Sequence, residues 1–121
     1  MSLDDEPLDD ETLVERLENR LMSQGVYVER TTHEDDTLHV EYETAAERIP
    51  KGQLGTVCSE LLDAHDAGWN PRDLHLWVFD LEGEFLGEWE LREGWFRALD
   101  REYISETDFS TLVLSTVRRD D

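Results

Sequence analysis

Apolar residues recur every three or four positions in two segments of the chain, as they do in helices that bury one face. The first set is Leu13, Val14, Leu17 and Leu21. The second set, with a histidine at its edge, is Leu54, Val57, Cys58, Leu61, Leu62 and His65. Each set is followed by a glycine, Gly25 or Gly68, and glycine commonly ends helices. The pattern predicts one helix over residues 9–24 and a second that ends at Gly68.

Four shorter segments have the alternation or the composition of β-strands. They cover residues 26–31, 38–43, 74–80 and 85–91. In the second segment Leu38, Val40 and Tyr42 alternate with polar residues, which is typical of a sheet with one face in water. Short turns join the strands into two hairpins. A helix followed by a hairpin thus occurs twice, about 45 residues apart, although the two units share little residue identity.

The last third of the chain begins with a third predicted helix. After Gly94, helical spacing relates Trp95, Phe96, Leu99 and Tyr103.

Residues 105–117 are compatible with two structures. Ser105 and Asp108 have the spacing of a capping box, in which each side chain bonds the other residue's backbone N–H at the start of a helix. Residues 111–117 have the composition of a strand instead. The cap supplies a mechanism for starting a helix, so we favour a fourth helix and keep the strand as the alternative.

The resulting order, αββαββαα, predicts the α+β class. It suits a four-stranded antiparallel sheet with helices packed mainly on one face. We expect an acidic, flexible N-terminus over residues 1–8, a single α+β domain over residues 9–118 and a tail over residues 119–121.

The strand predicted over residues 74–80 is apolar on both faces, because Trp77 and Phe79 alternate with Leu76 and Val78. One explanation is that the terminal helices cover the second face. The other is that a second copy of the chain covers it, since an apolar sheet face in water is an association site.

The charge of the chain is strongly negative. The 121 residues include 31 acidic and 11 basic side chains, for a net charge of -20, and only Lys51 among the basic residues is a lysine. Acids occur in nearly every block of ten residues, which favours a protein adapted to molar salt, where self-repulsion is screened and hydrated carboxylates maintain solubility. The competing interpretation is an acidic module that binds basic partners or imitates DNA.

In composition and in residues 62–100, LDAHDAGWNPRDLHLWVFDLEGEFLGEWELREGWFRALD, the chain resembles small uncharacterised proteins of halophilic archaea. The resemblance implies a family without an assigned activity, and it transfers no functional residue to this chain.

We expect a soluble cytoplasmic protein. Cys58 is the only cysteine, which excludes an intramolecular disulfide and suits a reducing compartment. The N-terminus lacks the basic start and apolar run of a secretory signal, and no apolar stretch approaches a membrane span.

No catalytic, metal-binding or cofactor-binding motif stands out, so we predict no catalytic residue, metal or cofactor and lean against an enzyme. Cys58 and His65 could share a helix face, but core packing of the cysteine is the better interpretation. Lys51 and Gly52, which precede the second helix, are a weak candidate for an anion site.

The aromatic residues of the C-terminal half form the main candidate interface or ligand platform. They are Trp77, Phe79, Trp89, Trp95 and Phe96. Our leading hypothesis is a non-enzymatic protein that associates as a homodimer through Trp77, Phe79 and neighbouring aromatics. The alternative is a nucleic-acid or regulatory binding module that uses the aromatic sheet face, and a small-molecule enzyme is third.

Overall fold

In the computed structural model, which describes residues 9–119, four helices and five strands follow one another along the chain. The helices are α1 (Asp10–Leu21), α2 (Lys51–Asp66), α3 (Glu93–Asp100) and α4 (Glu106–Ser115). The strands are β1 (Val26–Glu34), β2 (Thr37–Thr44), β3 (Asp73–Asp80), β4 (Phe85–Leu91) and β5 (Arg118–Arg119). The α+β class is confirmed. The N-terminus expected over residues 1–8 lies outside the described residues, as do residues 120–121 of the expected tail.

The sheet has the order β1-β2-β3-β4-β5, and its central pair, β2 and β3, is parallel. The other neighbours are antiparallel. The prediction of four wholly antiparallel strands is therefore wrong. The reason is that α2 connects β2 to β3 as a crossover, which returns the chain to the same end of the sheet and gives both strands one direction.

Residues 105–117 form a helix over most of their length. The Ser105 hydroxyl accepts from the backbone N–H of Asp108 at 3.1 Å, and the Asp108 carboxylate accepts from the N–H of Ser105 at 3.0 Å. The predicted capping box and fourth helix are confirmed. Burial of Phe109 and Val113 outweighs the strand propensity of this segment.

The core lies between the helices and one face of the sheet. Every helix contributes buried residues to it, among them Leu13, Leu54, Phe96 and Phe109. Aromatic rings meet edge to face at its centre, with the ring centroids of Phe96 and Phe109 5.2 Å apart and those of Trp69 and Phe96 5.7 Å apart.

Trp89 is fixed in this core by a polar contact. Its indole N–H donates to the hydroxyl of Tyr42 at 2.9 Å, and both side chains are buried. Burial raises the pKa of Tyr42 well above its ordinary value, so its hydroxyl stays protonated. A buried indole N–H needs such an acceptor. Trp89 lies on β4 and Tyr42 on β2, so this hydrogen bond spans β3.

His65 ties the end of α2 to α3. Its Nε2 is 2.8 Å from the Asp100 carboxylate, and its Nδ1 is 3.1 Å from the backbone carbonyl oxygen of Trp69. Both ring nitrogens therefore face acceptors, which only the protonated imidazole can satisfy together. Burial lowers the pKa of His65, but the hydrogen bonds to Asp100 and Trp69 and the nearby carboxylates outweigh it and raise this pKa above 6.5.

Gly87 allows β5 to approach β4. A Cβ atom at this position would lie 2.4 Å from the carbonyl oxygen of Arg118 and 2.9 Å from Ile49 Cδ1, and its φ of 152° is rarely adopted by other residues. We expect Gly87→Ala to lower the free energy of unfolding by about 1–3 kcal/mol, because the backbone of β5 must move. Urea unfolding in molar KCl measures this change.

The matched control for Gly87→Ala is Gly55→Ala. Gly55 lies inside α2, and nothing comes within 4 Å of a Cβ placed there. Alanine should stabilise the helix by about 0.5–1 kcal/mol. Equal effects of the two substitutions would contradict the close approach at Gly87.

The raised pKa of His65 predicts a pH-dependent contribution to stability. The contribution is fully present below pH 6.5, where the unfolded histidine is also protonated, and is lost as the pH rises through the higher pKa of the folded state. His65→Gln should therefore destabilise the protein more at pH 6 than at pH 9, measured by urea unfolding. Asp100→Asn should show the same dependence of stability on pH. A loss of unfolding free energy that is constant across pH would contradict the role of protonated His65.

Candidate functional site: the open face of the sheet

The face of the sheet opposite the core carries half-buried and exposed aromatic residues. We call it the open face, and its aromatic residues are Tyr27, His39, His75, Trp77, Phe79 and Phe85. None of them belongs to the buried core cluster to which all four helices contribute. Within residues 9–119, the helices therefore pack on the other face and leave this one uncovered.

The aromatic rings of the open face contact one another across three strands. The rings of His39 and Trp77 are stacked, with centroids 5.4 Å apart and an angle of 16° between their planes. The centroid of His75 lies 4.8 Å from that of Trp77. Phe79 and Phe85 meet at 5.6 Å. These rings form two groups, one of His39, His75 and Trp77 and one of Phe79 and Phe85, which we together call the aromatic strip.

Charged residues flank this strip. They are Arg30, Glu34, Glu41, Glu43, Asp73, Glu88, Glu90 and Arg118. Trp77 lies at the centre of one cross-strand row, with a glutamate on each neighbouring strand and an arginine beyond each glutamate. The Glu88 carboxylate lies 3.3 Å from His75 Nε2 and 3.6 Å from the Arg118 guanidinium.

The structure brings together only part of the predicted aromatic group. Trp77 and Phe79 lie on the open face, as the alternation of β3 predicts. Trp89 and Phe96 are 1% and 0% exposed and belong to the core, and Trp95 packs against the core. The sequence indicated the place of Trp89, because it lies between two glutamates in an alternating strand.

The open face also contains residues that the sequence reasoning did not assign to a site. His39, His75 and Phe85 belong to it because β2, β3 and β4 hold them beside Trp77 and Phe79. The pairing of β2 with β3 could not be recognised while the sheet was expected to be antiparallel throughout. The alternation in β2 did place His39 on the solvent side.

Lys51 and Gly52 lie in the first turn of α2, beside a surface groove of about 470 Å³. The side chain of Lys51 lies outside the described part of the structure. Within the groove wall, the Thr44 hydroxyl accepts from the Gln53 side-chain amide at 2.8 Å and from the N–H of Ala46 at 3.1 Å. The Gln53 amide and the Ala46 N–H thus donate to the protein itself and not to a ligand, so the anion site remains a sequence-based hypothesis.

Cys58 packs in the core. Burial raises the pKa of its thiol to about 12, so the neutral thiol, which is a poor nucleophile and metal ligand, prevails at neutral pH. His65, at the other end of the same stripe, is bound to Asp100 and Trp69 instead. Across residues 9–119, no group of three or more His, Cys, Asp or Glu side chains could hold a metal ion.

Three side chains converge on Asp10 at the start of α1. Its carboxylate lies 3.0 Å from the Trp69 indole nitrogen, 2.5 Å from His33 Nε2 and 2.6 Å from Arg72 Nε. Burial raises the pKa of Asp10, but the hydrogen bonds from Trp69 and His33 and the charge of Arg72 outweigh it and lower this pKa. The carboxylate is therefore ionised and engaged, and it anchors α1. His33, near the end of β1, is part of this cluster.

Comparisons with known proteins place the chain in a family. Within the described part of the chain, no helix has the length and apolar character needed to cross a membrane. Neither the curated proteins nor the solved structures match the chain. The expectation of a family without an assigned activity is confirmed: a family model described as "Domain of unknown function (DUF8159)" matches residues 7–121, and the chain belongs to this family.

Proposed function

We propose that this protein acts by associating with a second copy of itself through the open face, as a non-enzymatic, salt-adapted cytoplasmic protein of a salt-loving organism. The observation that supports the proposal is the aromatic strip around Trp77, which the helices of residues 9–119 leave half-exposed. Covering such a strip removes apolar surface from water, which favours association.

The size of the open face is compatible with a dimer interface. Four strands about 4.8 Å apart, each about eight residues long, cover a projected area of about 500 Å². Side chains make the accessible surface larger than this projection. It therefore approaches the roughly 800 Å² per partner that a standard interface buries.

The charges of the open face favour a second copy over a strongly basic or acidic partner. Its eight charged residues comprise five glutamates, one aspartate and two arginines, a net charge of -4, whereas the whole chain carries -20. Because arginine and glutamate alternate with Trp77 in one row, the surface offers both signs to an identical partner.

Nucleic-acid binding is the alternative, and the stacked rings of His39 and Trp77 are the observation that favours it. Five glutamates and one aspartate on the same face oppose it, because phosphates would lie beside carboxylates. Enzymatic activity ranks third, since the buried or perturbed groups Asp10, Cys58 and His65 are each engaged in packing or structural hydrogen bonds.

Sedimentation velocity in 2 M KCl tests the proposal. We expect a dimer for the wild-type chain and a monomer, or a dissociation constant at least about 30-fold weaker, for Trp77→Ser, because a central aromatic anchor contributes most to such interfaces. Tyr103→Ser is the control, since Tyr103 is exposed but lies on the loop between α3 and α4.

Three outcomes would contradict the proposal. The first is a wild-type chain that stays monomeric up to about 0.1 mM, a concentration at which a dimer of even modest affinity forms. The second is a dimer that survives Trp77→Ser but dissociates with Tyr103→Ser. The third is a monomer that binds labelled single-stranded DNA or RNA at the same salt concentration and loses this binding with Trp77→Ser, which would favour the alternative.

A further inference from the structure

We propose that salt regulates the association at the open face, and that the dimer tightens as the KCl concentration rises. This inference rests on the proposed function, because it concerns the same surface. This dependence of the dimer affinity on salt is opposite to that of an interface held by ion pairs, because salt weakens ion pairs.

The distribution of charge between the open face and the rest of the molecule leads to this inference. The eight charged residues of the open face carry -4 of the net charge of -20, so the other residues carry -16. Two copies that meet through this face bring together two bodies that carry a charge of -16 outside the contact, while the contact itself is aromatic and carries -4 per copy. Most of the net negative charge that causes the repulsion therefore lies outside the interface.

Screening acts strongly on this repulsion. The Debye length falls from about 10 Å at 0.1 M salt to about 3 Å at 1 M. Charges on α1 lie behind the sheet, so their distance from the partner exceeds the Debye length at 1 M salt. Molar salt therefore removes most of the repulsion that these charges cause. The attraction between aromatic surfaces does not depend on charge and remains.

Salt weakens the ion pairs at the edge of the open face, which opposes the tightening of the dimer. This effect of the ion pairs is smaller than the effect of the repulsion. The Arg118 side chain is 77% exposed, and it lies 3.6 Å from Glu88 in the isolated chain. Exposed pairs of this kind contribute little even at low salt. The repulsion involves the whole net charge of -20 of each copy, so its loss on screening outweighs the loss of a few such pairs.

Sedimentation equilibrium of the full chain between 0.3 and 3 M KCl tests the inference. The lower limit is raised, if necessary, to the lowest concentration at which the far-UV circular dichroism spectrum still matches that at 3 M. We expect the dissociation constant of the dimer to fall about ten-fold or more across this range, as the screening length shortens.

A variant with three substitutions separates screening from other effects of salt. Glu11, Glu15 and Glu18 are exposed on α1, on the core side of the sheet. Changing all three to glutamine should tighten the dimer several-fold at the lowest salt concentration and change it little at 3 M. The matched control is the change of Glu41 and Glu88 to glutamine, which alters the interface directly and should therefore act at both salt concentrations.

A dimer that weakens or is unaffected as KCl rises would overturn the salt inference and leave the proposed function standing. So would an α1 variant that behaves like wild type at the lowest salt concentration. A chain that is monomeric at every salt concentration would overturn the proposed function itself.

Discussion

The crossover through α2 determines the rest of the structure. Because α2 returns the chain to the end of the sheet at which β2 begins, β2 and β3 run parallel and the helix lies on one face of the sheet. The core forms on that face, where α1, α3 and α4 join α2 in one cluster of buried residues. The opposite face then carries the side chains that alternate with the core residues, and in β3 these are Asp73, His75, Trp77 and Phe79.

The remaining contacts hold this arrangement in place from its ends. Asp10 anchors the start of α1 to Trp69 and Arg72, which precede β3, and His65 joins the end of α2 to α3. Gly87 lets β5 close one edge of the sheet. None of these contacts lies on the open face, so the fold can be complete in one chain while that face stays available.

Local pattern in the sequence predicted the elements well, because helix ends and caps depend on neighbouring residues. Gly25 has a left-handed φ of 78° at the end of the first helical segment, and the Ser105 cap starts α4. The direction of strands could not be predicted in the same way, since alternation reports the face of a side chain and not the direction of its strand. Asp10 and Trp69 are 59 residues apart, so no local pattern indicates their contact. Trp89 and Phe96 entered the predicted aromatic group because they are near Trp77 in sequence, but the side chains are on different faces.

The central claim is that the open face is covered by a second copy of the chain. Labelling the four tryptophans with 5-fluorotryptophan and recording ¹⁹F NMR spectra across a dilution series in molar KCl tests it directly, once the Trp77 resonance has been assigned by substitution. The account predicts that the Trp77 resonance shifts with concentration and loses its solvent isotope effect in the dimer, while those of the buried Trp69 and Trp89 stay constant. A Trp77 resonance that is the same at all concentrations would contradict it.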